Sequence, residues 1–523
     1  MFFERSPDCT LSGLISSLTH KARAWNLYPV LGVLAVALTR ILFRSHLLYD
    51  LDSVNFALGI LRFDPASHQP HPPGYFLYVC LARLVNRLLA DPNAALVAIS
   101  IAASCGAVWV SYLLTKEWFD DRAARISMVL FLCSPLGWFH GIVALTYMVE
   151  GFFSALVGYL CWRAYSGNVK FAIPAAITLG IAAGFRPSIA LMLAPLWLLS
   201  LWHVRGICRW LAVIAAVLVT LLWFIPMAEA AGGVRQYLQS FQHLWSTVAG
   251  RRTALSSAWL PVARFITIGW ILILCFGSAS LLLLQPEAPG APTPSRRRFL
   301  WFWLTPGMLF FTFVFLNYVN SGYLLVLCPP GFALLAGRGS QFLTAAPGRW
   351  IGRSAFAAGV VANCLVFAFA PLYCSLRGVR EFERDMQAIR SDFHGVSPDR
   401  TLLIGFDSHY LGYRHAGYYL PGFVTVQYPE VQYPEGKRVF VMHNRDTQVV
   451  DRLSIRQFDR FILFPLPVGS EYSLYLSTIR EKLPKDALHL TTVGREQVLT
   501  GPASVIPLLF PFTTMYTPLH QSY

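Results

Sequence analysis

Residues 26–75 read NLYPVLGVLAVALTRILFRSHLLYDLDSVNFALGILRFDPASHQPHPPGY, and this stretch sets the expectation for the whole chain. It starts with an apolar run, 26–43, close to the roughly 20 residues that one bilayer crossing takes. Asp50 and Asp52 follow almost at once. Two carboxylates at the mouth of a spanning helix are costly unless solvated, paired or used. An amphipathic run, 54–62, leads to His68 and then to His71-Pro72-Pro73-Gly74. The prolines close one segment and open the next, since proline suits a first helical turn. Gly74 permits close approach of backbone or ligand.

The rest of the chain agrees with a membrane protein. Of 523 residues, 55% are hydrophobic and 13% charged, and the mean hydropathy is +0.50. A soluble domain carries about 25% charge. The deficit excludes an ordinary soluble enzyme and a disordered chain. Aromatic residues at 14% fit rings placed at membrane interfaces. The net charge of +15 invites a nucleic-acid reading. The basic residues lie between apolar runs without a contiguous stripe, so no nucleic-acid partner is expected. Six lysines against 36 arginines, with no Asn-X-Ser/Thr sequon, fit a bacterial chain. Nine of the ten cysteines sit in or beside apolar runs, a spacing that suits neither a disulfide framework nor a zinc site.

Eleven candidate spans follow from hydropathy: 26–43, 94–115, 123–140, 142–162, 170–185, 187–202, 207–227, 259–284, 299–317, 322–337 and 354–374. Alternating them collects Lys21, Arg23, Lys116, Arg122, Arg125, Arg163, Lys170, Arg205, Arg209, Arg296 to Arg298, Arg338, Arg349 and Arg353 on one side. That side is cytoplasmic by the positive-inside rule. The other face receives 44–93, 228–258 and everything after 375. Residues 72–90 read as an interfacial helix, with Arg83 and Arg87 four apart on its polar side. Residues 1–25 form a cytoplasmic N-terminus without a cleavable signal, so the first span acts as an uncleaved anchor. Residues 26–375 are the membrane module, with the acidic motif in outer loop 44–93. Residues 376–523 change character: a helical stretch, 377–391, precedes β-rich runs at 401–406, 438–443, 460–465 and 488–493. The expected fold is a polytopic α-helical membrane protein of about 11 transmembrane helices with a small extracytoplasmic α/β domain at its C-terminus. The expected place is a bacterial inner membrane, with that domain periplasmic.

Several residues at the outer face could carry chemistry. Asp52 or Asp50 could take a proton from an acceptor hydroxyl or amine, and the pair could hold a divalent cation. The same two acids also describe a solvated helix end. His71 could donate to a phosphate or a sugar hydroxyl, or HPPG is only a rigid turn. Tyr147 and Glu150 share a helix face. An acid inside an apolar span marks a functional site by default, the plain alternative being a hydrogen bond to a neighbouring helix. Arg186, in Gly184-Phe185-Arg186-Pro187-Ser188, could grip a phosphate through its planar fork or snorkel to headgroups. Arg251 and Arg252 are weaker phosphate candidates. Asn317, Asn320, Tyr323, Arg414, His415, Tyr418 and Tyr419 suit sugar recognition or ordinary loop packing. Neither a nucleotide-binding loop nor a hydrolase motif appears in the sequence, so an already activated, lipid-linked donor would have to supply the energy.

Together these features resemble the GT-C membrane glycosyltransferases, and most nearly their protein-mannosyltransferase-like bacterial branch. The stretch DSVNFALGI (52–60) followed by HPPGYFLY (71–78) is similar to a D-S-x-E-F-A…H-P-P-G-Y pattern. Asn55 stands where that pattern has an acid, which leaves Asp52, with Asp50 beside it, as the functional acids. The resemblance implies transfer of a sugar, with inversion, from a polyprenyl-phosphate or dolichyl-phosphate donor to a protein, lipid or glycan acceptor. It implies Asp52 as general base and Asp50 as its helper. Glu150 and Tyr147 would shape the pocket, and Arg186 and His71 would hold the lipid phosphate. His68, Arg251 and Tyr323 would make further substrate contacts. No metal is required by this resemblance, although oligosaccharyltransferases use a divalent cation. The alternative is a transporter or flippase for a phosphorylated lipid or glycan. It explains Glu150 and Arg186 but not the outer acids or the outer domain, and a matching pair of broken helices does not appear.

Overall fold

The computed structural model describes residues 27–246, 259–284, 293–316, 321–345, 349–433, 436–465, 476–484, 486–494 and 496–510. Among the described residues fifteen α-helices precede the sheet region. They are α1 (Leu27–Phe43), α2 (Leu51–Leu61), α3 (Phe76–Leu89), α4 (Pro92–Trp118), α5 (Asp121–Leu132), α6 (Pro135–Ile142), α7 (Tyr147–Tyr165) and α8 (Ala172–Phe185). Then come α9 (Pro187–Trp202), α10 (Ile207–Ala230), α11 (Val234–Leu244), α12 (Trp259–Phe276), α13 (Pro294–Leu309), α14 (Cys328–Ala345) and α15 (Arg349–Phe369). Within the described residues the apolar runs named above fall on these helices, with 3₁₀ or π turns completing those at 259–284, 299–316 and 322–337. The helix α4, the helix α10, α12 with its 3₁₀ extension to Leu284, and 350–369 are each long and apolar enough to cross a membrane. The pair α5 and α6 meets the same test together, bent by 60°. Its bend has a local cause: Pro135 cannot continue the ladder from α5, and Ser134 starts α6 anew by accepting from the Gly137 amide at 3.1 Å.

Burial orders the helices. The apolar window of α4 is 61% buried, against 22% for α10 and 17% for 350–369, so α4 is the core helix and the others face lipid. A run of small residues on α4, with Ser100, Ala103, Ser104, Ala107 and Ser111 all buried, lets its neighbours α1, α3, α5, α7 and α14 approach closely. Lipid-facing positions such as Leu222, Trp270, Trp301 and Val361 are exposed, as expected of an integral membrane protein.

Contacts sort the loops into two ends. At one end Arg163 pairs with Glu117 at 2.6 Å, and Arg296 donates to the Trp118 carbonyl at 2.6 Å. Arg122, Arg125 and Arg353 line a cavity of about 540 Å³ there. The opposite end gathers Asp50, Glu150, Arg186 and the sheet region.

In the sheet region α16 (Leu376–Asp392) buries Val379, Phe382, Met386 and Ile389, the 3–4 spacing of one helix face. The strands are β1 (Thr401–Gly405), β2 (Val424–Gln427), β3 (Val431–Tyr433), β4 (Gly436–His443), β5 (Asp446–Val450), β6 (Arg460–Leu463), β7 (His489–Val493) and β8 (Glu496–Pro502). Their order is β3-β4-β2-β1-β6-β8-β7, with β5 also on β4. Strand β1 runs parallel to both β2 and β6, and the other pairs are antiparallel. A helix, α17 (Tyr413–Tyr419), crosses from β1 to β2. All five residues of β1 are buried, as befits a strand covered on both faces. Strands β2, β3, β5 and β8 were not expected from the sequence, and GYRHAGYY forms a helix rather than a loop.

Close packing between α7 and α13 depends on Gly158. A Cβ there would lie 1.9 Å from the Trp303 ring, which is fully buried and donates to Ser154 Oγ at 3.0 Å. Gly158→Ala is expected to cost about 1–3 kcal/mol through forced displacement of the indole, measured as thermal unfolding in detergent.

Candidate active site

The site begins where α1 ends and α2 starts. Asp50 is the N-cap of α2, and its carboxylate accepts from the Asp52 amide at 2.8 Å. It is 0% exposed. A buried carboxylate needs partners, and Asp50 has two more. Tyr373, just beyond α15, donates its hydroxyl to it, and His409, after β1, places Nδ1 at 3.2 Å. Burial works against the Asp50 charge, but His409 and the hydrogen bonds from Tyr373 and Asp52 outweigh it and hold the carboxyl below its ordinary range. Burial likewise opposes the His409 charge. Asp50, with Asp52 and Asp407 behind it, overcomes that and lifts the imidazole to about 9.

Asp52 stands in the first turn of α2 and keeps 17% of its side chain exposed. The two aspartates therefore differ in kind: Asp50 is sealed and structural, Asp52 is accessible. Asp52 Oδ1 lies 3.4 Å from His71 Nδ1. His71 sits in the HPPG turn, which needs a left-handed residue at Gly74, with φ of +97°. His71 Nε2 lies 3.2 Å from the Tyr75 hydroxyl. Burial pushes the His71 imidazole down against the pull of Asp52, and Arg186 reinforces burial. A neutral ring with its proton on Nδ1 satisfies both contacts: it faces Asp52 and accepts from Tyr75. That tautomer is assigned from the network.

Tyr75 leads on to the membrane-embedded part. The Arg186 guanidinium lies over the rings of Tyr75, Tyr147 and Tyr323 at 5.6, 4.9 and 4.5 Å. Its Nη1 pairs with Glu150 and donates to Thr146 at 3.2 Å. Arg186 caps the break between α8 and α9, where Pro187 opens the second helix. Gly322 makes room for this cage, since a Cβ there would lie 2.3 Å from the Tyr147 ring.

Asp52, His71, Tyr75, Arg186 and Glu150 thus form one continuous series, with Asp50, Tyr147 and Tyr323 beside it. His68 lies apart from the series: its ring packs on Phe440 of β4 at 4.8 Å, where the sheet region docks. Arg251, Arg252, Asn317 and Asn320 lie outside the described residues. Arg83 does not point to a polar face; it donates to the carbonyls of Ile60 and Gly59 at 3.0 and 2.9 Å and closes the end of α2. Arg414 donates to the Ser67 carbonyl at 3.1 Å, and the Tyr419 hydroxyl accepts from the Leu48 amide at 2.7 Å. Both serve docking of the sheet region onto loop 44–75. Among the described residues, no three His, Cys, Asp or Glu side chains group as metal ligands would.

Sequence reading missed Tyr75, Tyr373, Asp407 and His409. A signal for the last two exists: Phe406-Asp407-Ser408-His409 directly follows the apolar TLLIG, and sites in parallel sheets gather at carboxyl ends of strands.

Neither a protein-family model nor a curated protein matches this sequence. Solved structures do match. ArnT from Cupriavidus metallidurans bound to undecaprenyl phosphate superposes with a TM-score of 0.56 at 12% identity, over 94% of this chain and 98% of that one. The same protein in the apo state gives a TM-score of 0.55 at 12% identity, over 94% and 99%. The Archaeoglobus fulgidus oligosaccharyltransferase reaches a TM-score of 0.45 at 12% identity, over 77% and 64%, too low to carry an argument. Likeness at this identity establishes the fold. This chain shares the fold of ArnT over nearly its whole length, a fold of the kind that the resemblance of its 52–78 stretch implied.

Two outcomes are expected of this geometry. Arg186→Met leaves Glu150 buried and unpaired, which typically costs about 3–5 kcal/mol, and Glu150→Gln added to it should restore much of the loss in thermal unfolding. The His409 contribution is complete below the ordinary histidine value of 6.5 and fades as pH rises through about 9, while the Asp50 contribution fades on acidification below 3.8. Protease sensitivity of the sheet region should therefore rise between pH 7 and 10, and His409→Leu should flatten that rise.

Proposed function

We propose that this protein is an inverting glycosyltransferase of a bacterial inner membrane. It moves a sugar from a polyprenyl-phosphate donor to a protein, lipid or glycan acceptor at the outer face. The observation that carries this reading is the continuous series from accessible Asp52, through His71 and Tyr75, to the Arg186–Glu150 pair under three tyrosine rings. A base and an anchored cation at opposite ends of one site are what such a transfer needs. The fold-level likeness to ArnT solved with undecaprenyl phosphate supports the same reading.

In the proposed step, Asp52 takes the proton of an acceptor hydroxyl or amine. The freed electron pair attacks the anomeric carbon from the face opposite the phosphate. The bond from that carbon to the phosphate oxygen breaks, and polyprenyl phosphate leaves with its electrons, so the centre inverts. Arg186 offsets charge on the departing phosphate with N–H groups not used by Glu150. Both ring nitrogens of His71 face protein partners, which suits it to holding Asp52 in place. Asp50 acts through the backbone: by capping α2 it sets the height and direction of Asp52. The step as written needs no metal.

The test is transfer of label from a panel of radiolabelled polyprenyl-phosphate sugars into membrane extract. Asp52→Asn should lower transfer about 10²- to 10⁴-fold, the usual scale for losing a general base, with expression and elution unchanged. Unimpaired transfer would remove Asp52 from the mechanism.

A further inference from the structure

The sheet region reaches the site with one particular edge. Strand β1 pairs in parallel with β2 on one side and β6 on the other, and its connection through α17 runs only toward β2. Strand order therefore reverses at β1. In open sheets the crevice beyond the carboxyl ends of strands at such a reversal is where ligands bind. Here the carboxyl end of β1 continues into Phe406, Asp407, Ser408 and His409. His409 lies 3.2 Å from Asp50, so this edge adjoins the aspartates of the membrane module.

Asp407 has no function in the fold that its contacts reveal. It makes no hydrogen bond and no ion pair among the described residues, and it is exposed. Yet it is not a distant surface acid. Enclosure by protein raises its carboxyl, with Asp52 adding to the rise and Arg414, His409 and His71 opposing it. Exposure and enclosure agree if Asp407 faces the space shared with Asp52 and His71 rather than open solvent. Every other acid of the site has a partner: Asp50 has His409 and Tyr373, Glu150 has Arg186, and Asp52 has His71.

This distribution divides the site. Next to the sheet stand two carboxylates, Asp52 and unpaired Asp407. Inside the membrane module stand Arg186 and its tyrosines. A phosphate is repelled by the first end and drawn to the second. A group that donates hydrogen bonds, a hydroxyl or an amine, fits the first.

We propose that Asp407, supplied by the sheet region, is a specificity-determining residue that binds the acceptor through its hydroxyl or amine donors beside Asp52. It holds a donor group of the acceptor while Asp52 takes the proton of the attacking one. This inference rests on the transferase reading and assigns acceptor recognition to the carboxyl end of β1.

The test uses the full chain in detergent or vesicles. Transfer from a radiolabelled polyprenyl-phosphate sugar is measured against increasing membrane extract as the source of acceptor. Donor-side binding is read separately as the shift in thermal unfolding that added undecaprenyl phosphate produces. Asp407→Asn is expected to raise the half-saturating extract concentration about ten- to a hundredfold, the effect of losing one hydrogen bond to a charged group. The maximal rate should stay within a few-fold, and the undecaprenyl phosphate shift should match the parent. Asp407→Ser repeats the measurement if the first variant elutes as aggregate. Unchanged half-saturation, or a lost undecaprenyl phosphate shift, overturns the assignment. Asp52→Asn runs in parallel: full activity there sinks the base assignment, while a half-saturation shift in Asp407→Asn still supports acceptor binding. Absence of transfer by the parent with every donor overturns both readings together.

Discussion

A carboxylate that water cannot reach organises this molecule. Asp50 is fully buried, and removing a charge from water costs far more than any single contact returns unless the charge is paired and hydrogen-bonded. Its three partners come from three places: the Asp52 amide in its own loop, Tyr373 past the last membrane helix, and His409 in the sheet region. None of these positions is free to drift while the charge must be satisfied. The loop between α1 and α2, the end of α15 and the carboxyl end of β1 therefore meet at one point. Asp52 stands one turn-step from that point, which is why its position is fixed although it is itself accessible.

A second buried charge is handled differently. Arg186 lies between α8 and α9, paired with Glu150 and surrounded by three tyrosine rings. A guanidinium is weakly hydrated and stacks on aromatic faces, so it tolerates this cage better than an ammonium would. Among the described residues, Arg186 makes its polar contacts through Nη1, to Glu150 and Thr146, and that leaves donors for an incoming anion. The contrast between a sealed cation within the helices and accessible acids beneath the sheet gives the site its polarity. On the proposed transferase reading, a lipid-linked phosphate entering from the bilayer would meet the former first, and a polar acceptor arriving from water would meet the latter.

Much of this was legible in the linear chain. Apolar length located the helices, because each crossing must satisfy its own backbone over the thickness of a bilayer. Arginine placement sorted the loops, and the contacts of Arg163 with Glu117 and of Arg296 with Trp118, together with the cavity that Arg122 and Arg353 both line, gather those loops at one end. Asp52, His71, Glu150 and Arg186 stood out because polar groups are scarce in an apolar sequence. His68 stood out for the same reason yet serves packing on Phe440, since scarcity marks a residue without saying what it faces. Strands β2 and β3 are only four and three residues long, and β5 and β8 read as DTQVV and EQVLTGP, whose polar, Gly and Pro residues hide a strand pattern. YRHAGYY became a helix because the crossover between parallel strands is usually made by one.

What the sequence determined alone was the class of solvent each segment would accept: lipid for the long apolar runs, water or a protein interior for the rest, and an acidic turn where the first run ends. Hydrophobic transfer is a property of composition and length, so it survives without coordinates. Only the tertiary structure decided which acid is sealed and which is open, and that His409, more than 350 residues from Asp50 in the chain, stands against it. Those outcomes depend on desolvation and on distances of a few ångströms between segments far apart in sequence, and neither quantity exists until the chain has folded.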